Sequence, residues 1–267
     1  MQHSLIIPAC NEAQRIRKTL RAYLPTLQPG RDELIVVVNG SRDDTERILR
    51  EEFQPQCPAM RVVVIPARVG KGGALMRGFS ESCGQIIAFT DADGSTPPEA
   101  LWALITQLRP PTGMVIGSRW LPGAAVNTPQ ARSRRMASRS LNRLVRFGFG
   151  LPFTDTQCGA KAIRREALDA VLPRLGATDW AFDIDLIFQV RRAGFPVREH
   201  PTTWDDVAGS TLHLPRASLE ILGALLRLRL LHSPARGIVH LWDRTLGVRL
   251  YRRRIARLRA IYGTGSP

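Results

Sequence analysis

Ile86-Ile87-Ala88-Phe89-Thr90-Asp91-Ala92-Asp93-Gly94 is a short apolar run that ends in two carboxylates one residue apart. A run of that kind reads as a buried strand, and α/β folds gather their ligands at the carboxyl ends of such strands. Asp91 and Asp93 therefore reach a place where hard oxygen ligands with open positions suit Mg²⁺ or Mn²⁺, which would in turn hold the phosphates of a substrate. The plainer alternative is that Asp-Ala-Asp-Gly only ends a strand and caps a helix from Pro98, since Asp and Gly are ordinary turn residues. The neighbouring segments bear on the choice.

Outward from this point, strand and helix patterns alternate with short links up to about residue 120, the mark of a parallel sheet built from right-handed βαβ crossovers. Strands are expected at 5–8, 34–38, 61–65, 85–90 and 114–118, and helices at 13–27, 43–53, 72–83 and 98–108. Residues 120–128 are rich in Pro and Gly and read as a mobile loop, and 133–147 returns to helical spacing. A strand-like 160–164, a helix over 183–193 and a strand at 195–200 follow. The division expected is a mostly parallel α/β domain sandwiched by helices over 1–214, then a basic amphipathic helical tail over 215–267.

Four motifs fall at the carboxyl ends of successive expected strands and would line one crevice. Pro8-Ala9-Cys10-Asn11-Glu12 offers backbone groups and a carboxylate to a base or ribose, or else Asn11 caps a helix with Glu12 in its first turn. Asn39-Gly40-Ser41 places an amide where a pyrimidine edge could be read, or forms a strand-ending turn. Gly70-Lys71-Gly72-Gly73 lets backbone N–H groups approach a pyrophosphate at a helix start while Lys71 adds a point charge. It lacks the glycine spacing of a P-loop, and alone it reads as a helix entry with a solvated Lys. The Asp91/Asp93 pair is the fourth.

With these motifs in place, the chain resembles, over roughly its first 210 residues, the family 2 glycosyltransferases of GT-A (Rossmann-like) fold, inverting enzymes that use nucleotide sugars. Gly117-Ser118-Arg119, Asp155-Thr156-Gln157-Cys158-Gly159, Phe182-Asp183-Ile184-Asp185 and Trp204-Asp205-Asp206-Val207-Ala208-Gly209-Ser210 are most similar to the polyprenyl and dolichyl phosphate sugar transferases. The dolichyl-phosphate glucosyltransferase type shares Asp-Ala-Asp-Gly, whereas mannosyl enzymes usually carry Gln where Ser95 stands.

The resemblance implies a hexose, glucose first, carried by a nucleotide donor, UDP before GDP, to a lipid phosphate. It implies donor contacts at Pro8, Ala9, Asn11, Glu12, Asn39, Gly70, Lys71, Asp91, Ala92 and Asp93, and metal at Asp91 and Asp93. Arg119, Arg132, Arg134 and Arg135 flank the loop beside the expected acceptor site, as phosphate ligands or as a solvated charged face. Asp93, Asp183 and Arg119 are the candidate catalytic residues. A phosphate acceptor needs no base, while a neutral hydroxyl acceptor would need Asp183 as one, unless Asp183 merely caps its helix. Departures from the family are Val38-Asn39 where most members have two Asp, and Thr211 where Lys is usual, a phosphate contact that is either lost or supplied by Arg216.

Charge narrows the partners. Lys and Arg number 38 against 23 Asp and Glu, a formal +15 carried almost wholly by Arg, whose planar fork grips phosphate. The tail mixes Leu, Ile and Val with Arg at helical spacing, as helices lying on an anionic membrane do; an ordinary helical hairpin against the sheet or a partner subunit is the other reading. A nucleic-acid-binding module lacks support, because no reading motif or aromatic platform accompanies the charge and aromatics total 6%. The four cysteines show no paired spacing, no signal peptide opens the chain, and no apolar stretch approaches ~18 residues. The expectation is a cytoplasmic protein with reduced thiols, bound peripherally to the cytoplasmic face of the membrane.

Overall fold

The computed structural model describes residues 1–128, 132–176 and 181–205, together with 223, 225–230, 233, 234 and 237. The strands are β1 (His3–Ala9), β2 (Asp32–Asn39), β3 (Met60–Ile65), β4 (Ile86–Phe89), β5 (Met114–Ser118), β6 (Ala125–Thr128), β7 (Lys161–Arg164), β8 (Val197–Pro201) and β9 (Thr203–Asp205). The helices are α1 (Ile16–Tyr23), α2 (Thr45–Ile48), α3 (Gly70–Glu81), α4 (Pro98–Thr106), α5 (Arg132–Phe149), α6 (Arg165–Val171) and α7 (Phe182–Arg192).

Seven strands form one sheet in the order β3-β2-β1-β4-β7-β5-β8. β1 pairs in parallel with β2 on one side and β4 on the other, so the order reverses there and opens a crevice at the carboxyl ends. The sheet is buried on both faces, which is why its strands read as continuous apolar runs. Successive residues point to opposite faces. Ile6, Ile35, Val37, Ile87, Phe89 and Ile163 meet α3, α6 and α7 on one side. Leu5, Ile7, Leu34, Val36, Ala88 and Ala162 meet α1 and α4 on the other.

Three departures from the sequence reading matter for the site. The helix expected over 13–27 is a single α-helical stretch only from Ile16, because the chain first turns through Glu12–Arg15. The strand-like segment near 160–164 is β7, and it runs antiparallel between β4 and β5. The loop expected over 120–128 ends in β6, which pairs in parallel with β9. Of the expected tail, only the few positions from 223 to 237 named above lie within the described residues; the domain boundary at 214, Thr211 and Arg216 lie outside them.

Candidate active site

The crevice wall begins with two loops stitched together. Asn11 adopts a left-handed backbone (φ 57°) that turns the chain sharply after β1. Its N–H donates to Ser41 Oγ and its side-chain oxygen accepts from the Arg42 N–H. Glu12 N–H donates to Thr45 Oγ1 and Ala13 N–H to Asp43. The Glu12 carboxylate pairs with Arg15, both of whose contacts are within hydrogen-bond distance at 2.8 and 2.9 Å. Burial raises its proton affinity and Arg15 lowers it, while the nearby charges of Asp93 and Asp91 add to the rise. Glu12 thus feels the charges of Asp93 and Asp91 across the crevice.

Asn39 has a different role from the one expected of a base-reading amide. Its Oδ1 accepts from Val69 N–H at 2.7 Å and its Nδ2 donates to the Gly70 carbonyl at 3.0 Å. The amide is buried and spent on holding the entry to α3 against the end of β2. Gly40 is required beside it: its φ is 60°, and a Cβ there would lie 2.7 Å from the Arg68 backbone nitrogen.

Braced in this way, Gly70 and Lys71 project toward Asp91. Lys71 Nζ lies 2.7 Å from Asp91 Oδ1 and 3.7 Å from Asp183 Oδ2. Asp183 Oδ1 in turn takes a 2.7 Å bond from Lys161, a lysine without solvent exposure that also donates to the Cys158 carbonyl. The result is an alternating row, Asp91, Lys71, Asp183, Lys161, that runs from the half-exposed crevice into the core. Burial alone would favour a protonated Asp183, but Lys161 and Lys71 prevail and hold it below the usual carboxylate range. For Lys71 burial opposes the charge, and Asp183 and Asp91 overcome it. Asp183 lies in the first turn of α7, whose N-cap is Ala181, so it is neither a cap nor a lone carboxylate.

Asp93 Oδ1 accepts from both the N–H and the hydroxyl of Ser95, a local turn that fixes one oxygen. Ala92 is buried between the two carboxylates, its carbonyl accepting from Thr19. Gly159 leaves the room Asp91 occupies: a Cβ at that position would stand 2.1 Å from Asp91 Oδ2. Among the described residues no cluster of three or more His, Cys, Asp or Glu could hold a metal ion by itself. Asp91 and Asp93 nevertheless offer hard oxygen ligands one residue apart, a donor set that suits a divalent ion completed by a diphosphate, while Asp91 Oδ1 carries the Lys71 ammonium.

Arg119, expected to hold an acceptor phosphate, has an acidic partner within the protein. Its Nε and Nη2 grip Asp155 at 2.7 and 2.9 Å, and its backbone N–H reaches the same carboxylate at 3.1 Å. It stacks over Trp204 at 5.2 Å and Trp120 at 5.8 Å. Glu199, on β8, braces Asp155 by accepting from Thr154 N–H, Thr154 Oγ1 and Asp155 N–H. Thr156 donates from its N–H and its hydroxyl to Asn142 on α5. Lys161, Asp155, Glu199, Asn142 and Gly159 escaped the sequence reading as site-building residues, although Asp155 and Gly159 lie in a motif it singled out. A lysine amid Ala160, Ala162 and Ile163 was the available signal for a buried charge. Arg132, Arg134 and Arg135 occupy the first turn of α5, with side chains outside the described residues.

A reversed-order sheet with paired carboxylates at its switch point, flanked by helices on both faces, defines a glycosyltransferase of the GT-A type. The chain belongs to glycosyl transferase family 2, whose model it matches over residues 4–172. It is 32% identical over 229 residues to glycosyltransferase AglD of Haloferax volcanii, spanning 84% of this chain but 36% of that protein. It is 31% identical over 250 residues to a dolichyl-phosphate beta-glucosyltransferase of Saccharomyces cerevisiae, spanning 85% of this chain and 74% of that one. Glucosyl-3-phosphoglycerate synthase of Mycobacterium tuberculosis, solved with Mn²⁺, UDP-glucose and phosphoglyceric acid, shares the fold with a TM-score of 0.65 at 24% identity, covering 85% of this chain and 79% of that chain.

Proposed function

We propose that this chain transfers a hexose, glucose first, from UDP to a polyprenyl or dolichyl-type lipid phosphate, in one displacement with inversion at the anomeric carbon. The observation that carries the reading is the cation-bearing Asp91 beside Asp93 and Glu12 at the sheet's switch point; the dolichyl-phosphate glucosyltransferases among its relatives supply the acceptor class. A lipid-phosphate oxygen attacks C1 of the sugar, the bond from C1 to the diphosphate oxygen breaks, and UDP leaves with the electron pair. The acceptor is already anionic near neutral pH, so no residue must remove a proton.

Within that reaction Asp91 and Asp93 would hold Mg²⁺ or Mn²⁺, which when bound offsets the charge of the departing diphosphate. Lys71, on the Gly70 turn, stands ready to follow that diphosphate. Arg119, with two donors committed to Asp155, positions the Thr154–Cys158 loop, and Arg132, Arg134 and Arg135 receive the acceptor phosphate. Asp183 fits an anchor for Lys71 and Lys161 better than a base, since both ammonium groups stabilise its ionised form. That disfavours the reading with a soluble hydroxyl acceptor. Among the described residues no helix is long and apolar enough to cross a membrane. A lipid acceptor implies an encounter at a membrane surface, for which we take the cytoplasmic face.

The test is to offer UDP- and GDP-hexoses with Mg²⁺, Mn²⁺ or excess chelator to polyprenyl phosphate and identify the lipid product by mass. A metal-dependent hexosyl phospholipid is expected. Full turnover in chelator, or transfer only to soluble hydroxyl acceptors, overturns the proposal.

A further inference from the structure

Helix α5 presents an outward face that a water-soluble helix would not carry. Among the described residues the exposed large hydrophobic side chains are Met1, Met136, Leu144, Phe147 and Leu226. Three of the five belong to α5, and Phe147 is 90% exposed. Leu226 sits between Leu225 and Leu228, which join the same core cluster as Val145 of α5. Such side chains are normal when scattered singly; their concentration here marks a contact surface.

The same face is strongly basic. Met136, Ser140, Arg143 and Phe147 succeed one another at intervals of three and four, which puts them on one stripe, with Leu144 beside it. Arg139, Arg143 and Arg146 are exposed alongside. The helix RSRRMASRSLNRLVRFGF holds six arginines and no acidic residue, so its arginines at three- and four-residue spacing repel rather than pair. Two copies of such a face would repel each other, and nucleic acid would leave the Met, Leu and Phe exposed. An anionic lipid surface satisfies both halves: phosphate for the guanidinium groups and acyl chains for the apolar side chains.

We propose that the face of α5 bearing Met136, Arg143, Leu144, Arg146 and Phe147 docks on an anionic lipid bilayer, independently of the C-terminal segment. The inner side of this helix builds the candidate site. Asn142 accepts both hydrogen bonds of Thr156, Val145 enters the core, and the Arg139 guanidinium lies 5.1 Å over the Trp120 ring next to Arg119. Docking through α5 therefore brings the Asp155 loop to the headgroup layer, where a lipid phosphate resides. This purpose rests on the proposed acceptor, but the docking does not, since it is measured without donor or acceptor.

The experiment is co-sedimentation of the full chain with vesicles of phosphatidylcholine, with and without phosphatidylglycerol. Wild type should bind the anionic vesicles and lose binding as salt rises. Met136→Ser/Leu144→Ser/Phe147→Ser should bind more than tenfold more weakly, and Arg143→Gln alone about fivefold more weakly, the effect of one basic residue at an anionic surface. Unfolding midpoints and transfer to a short water-soluble phosphate acceptor should stay at wild-type values. Wild-type affinity in both variants overturns the proposal, as does failure of the wild type to bind. A light-scattering mass that falls from dimer to monomer in the triple variant assigns the face to a second copy, and preferential binding of duplex DNA assigns it to nucleic acid; either overturns it. Vesicle binding lost as predicted in a protein that does not use polyprenyl phosphate leaves the docking face standing and refutes only the acceptor.

Discussion

Replacing Gly159 by Ala adds a single methyl group, yet it should disable transfer. Gly159 is not among the glycines in the left-handed region, so its backbone accepts Ala. The obstacle is Asp91. The new Cβ would stand 2.1 Å from Oδ2 and 2.7 Å from Cγ, where ordinary contact begins at 3.4 Å. The carboxylate must retreat by about 1.3 Å, the gap between those two distances. It can do so, because it is the end of a half-exposed side chain, at a stability cost of about 1 kcal/mol, the scale of one off-rotamer torsion. The retreat carries Asp91 away from Lys71 and from the position where it would meet a metal. A misplacement of that size costs about 10²-fold in rate, or about 2.7 kcal/mol of barrier. Three measurements decide it: transfer rate at saturating donor, Mn²⁺ affinity by calorimetry, and the thermal midpoint. A rate within about threefold of wild type, well short of that loss, refutes the argument. So does a rate loss that merely tracks a collapsed midpoint.

Four further outcomes are expected. Lys161→Met leaves Asp183 buried with only the more distant Lys71, and should lower stability by about 3 kcal/mol in urea titration. Arg119→Ala strands Asp155, which has no solvent exposure, and should cost about 3–5 kcal/mol, far more than Arg119→Lys, which keeps the charge. Asp183 is held below its ordinary value of 3.8, so its contribution is complete above that pH and lost as pH falls through the lower folded value. The urea midpoint should drop as pH falls below 3.8 in wild type, and less in Asp183→Asn. Burial pushes the Cys158 thiol up to about 11 while Cys83 is exposed, so a thiol reagent at neutral pH should label Cys83 at once and Cys158 only after unfolding.

The sheet was legible because buried parallel strands write themselves as apolar runs, and the four loops at their carboxyl ends were legible because turn residues mark them. Met114–Ser118 emerged with its bounds intact. What escaped depends on partners distant in the chain. The direction of β7 cannot be read from Lys161–Arg164, because a four-residue segment does not show which way it runs in a sheet until its neighbours are known. The short β6 hides in Pro/Gly-rich surroundings and is a strand only because Thr203–Asp205 pairs with it. The same holds at the site. Arg119 looked available until Asp155, 36 residues on, took its fork, and Asn39 looked like a reader of bases until Val69 and Gly70 claimed both ends of its amide.

The antiparallel strand β7 also sets the order in which this chain can be finished. β4 and β5 never touch each other directly; each pairs with β7, through Phe89↔Lys161 on one side and Ile116↔Lys161 on the other. Until residue 164 has been made, β4 carries an unpaired edge and β5, whose neighbours β7 and β8 both come later in the chain, has no strand partner at all. At ribosomal speeds of about 5–20 residues per second, the 75 residues between the end of β4 and the end of β7 take about 4–15 s. During that interval the first four strands form a sheet, β3-β2-β1-β4, while β5 waits unattached. A cut between β5 and β7 would make that state permanent in the first fragment, so division there should leave that fragment prone to aggregate.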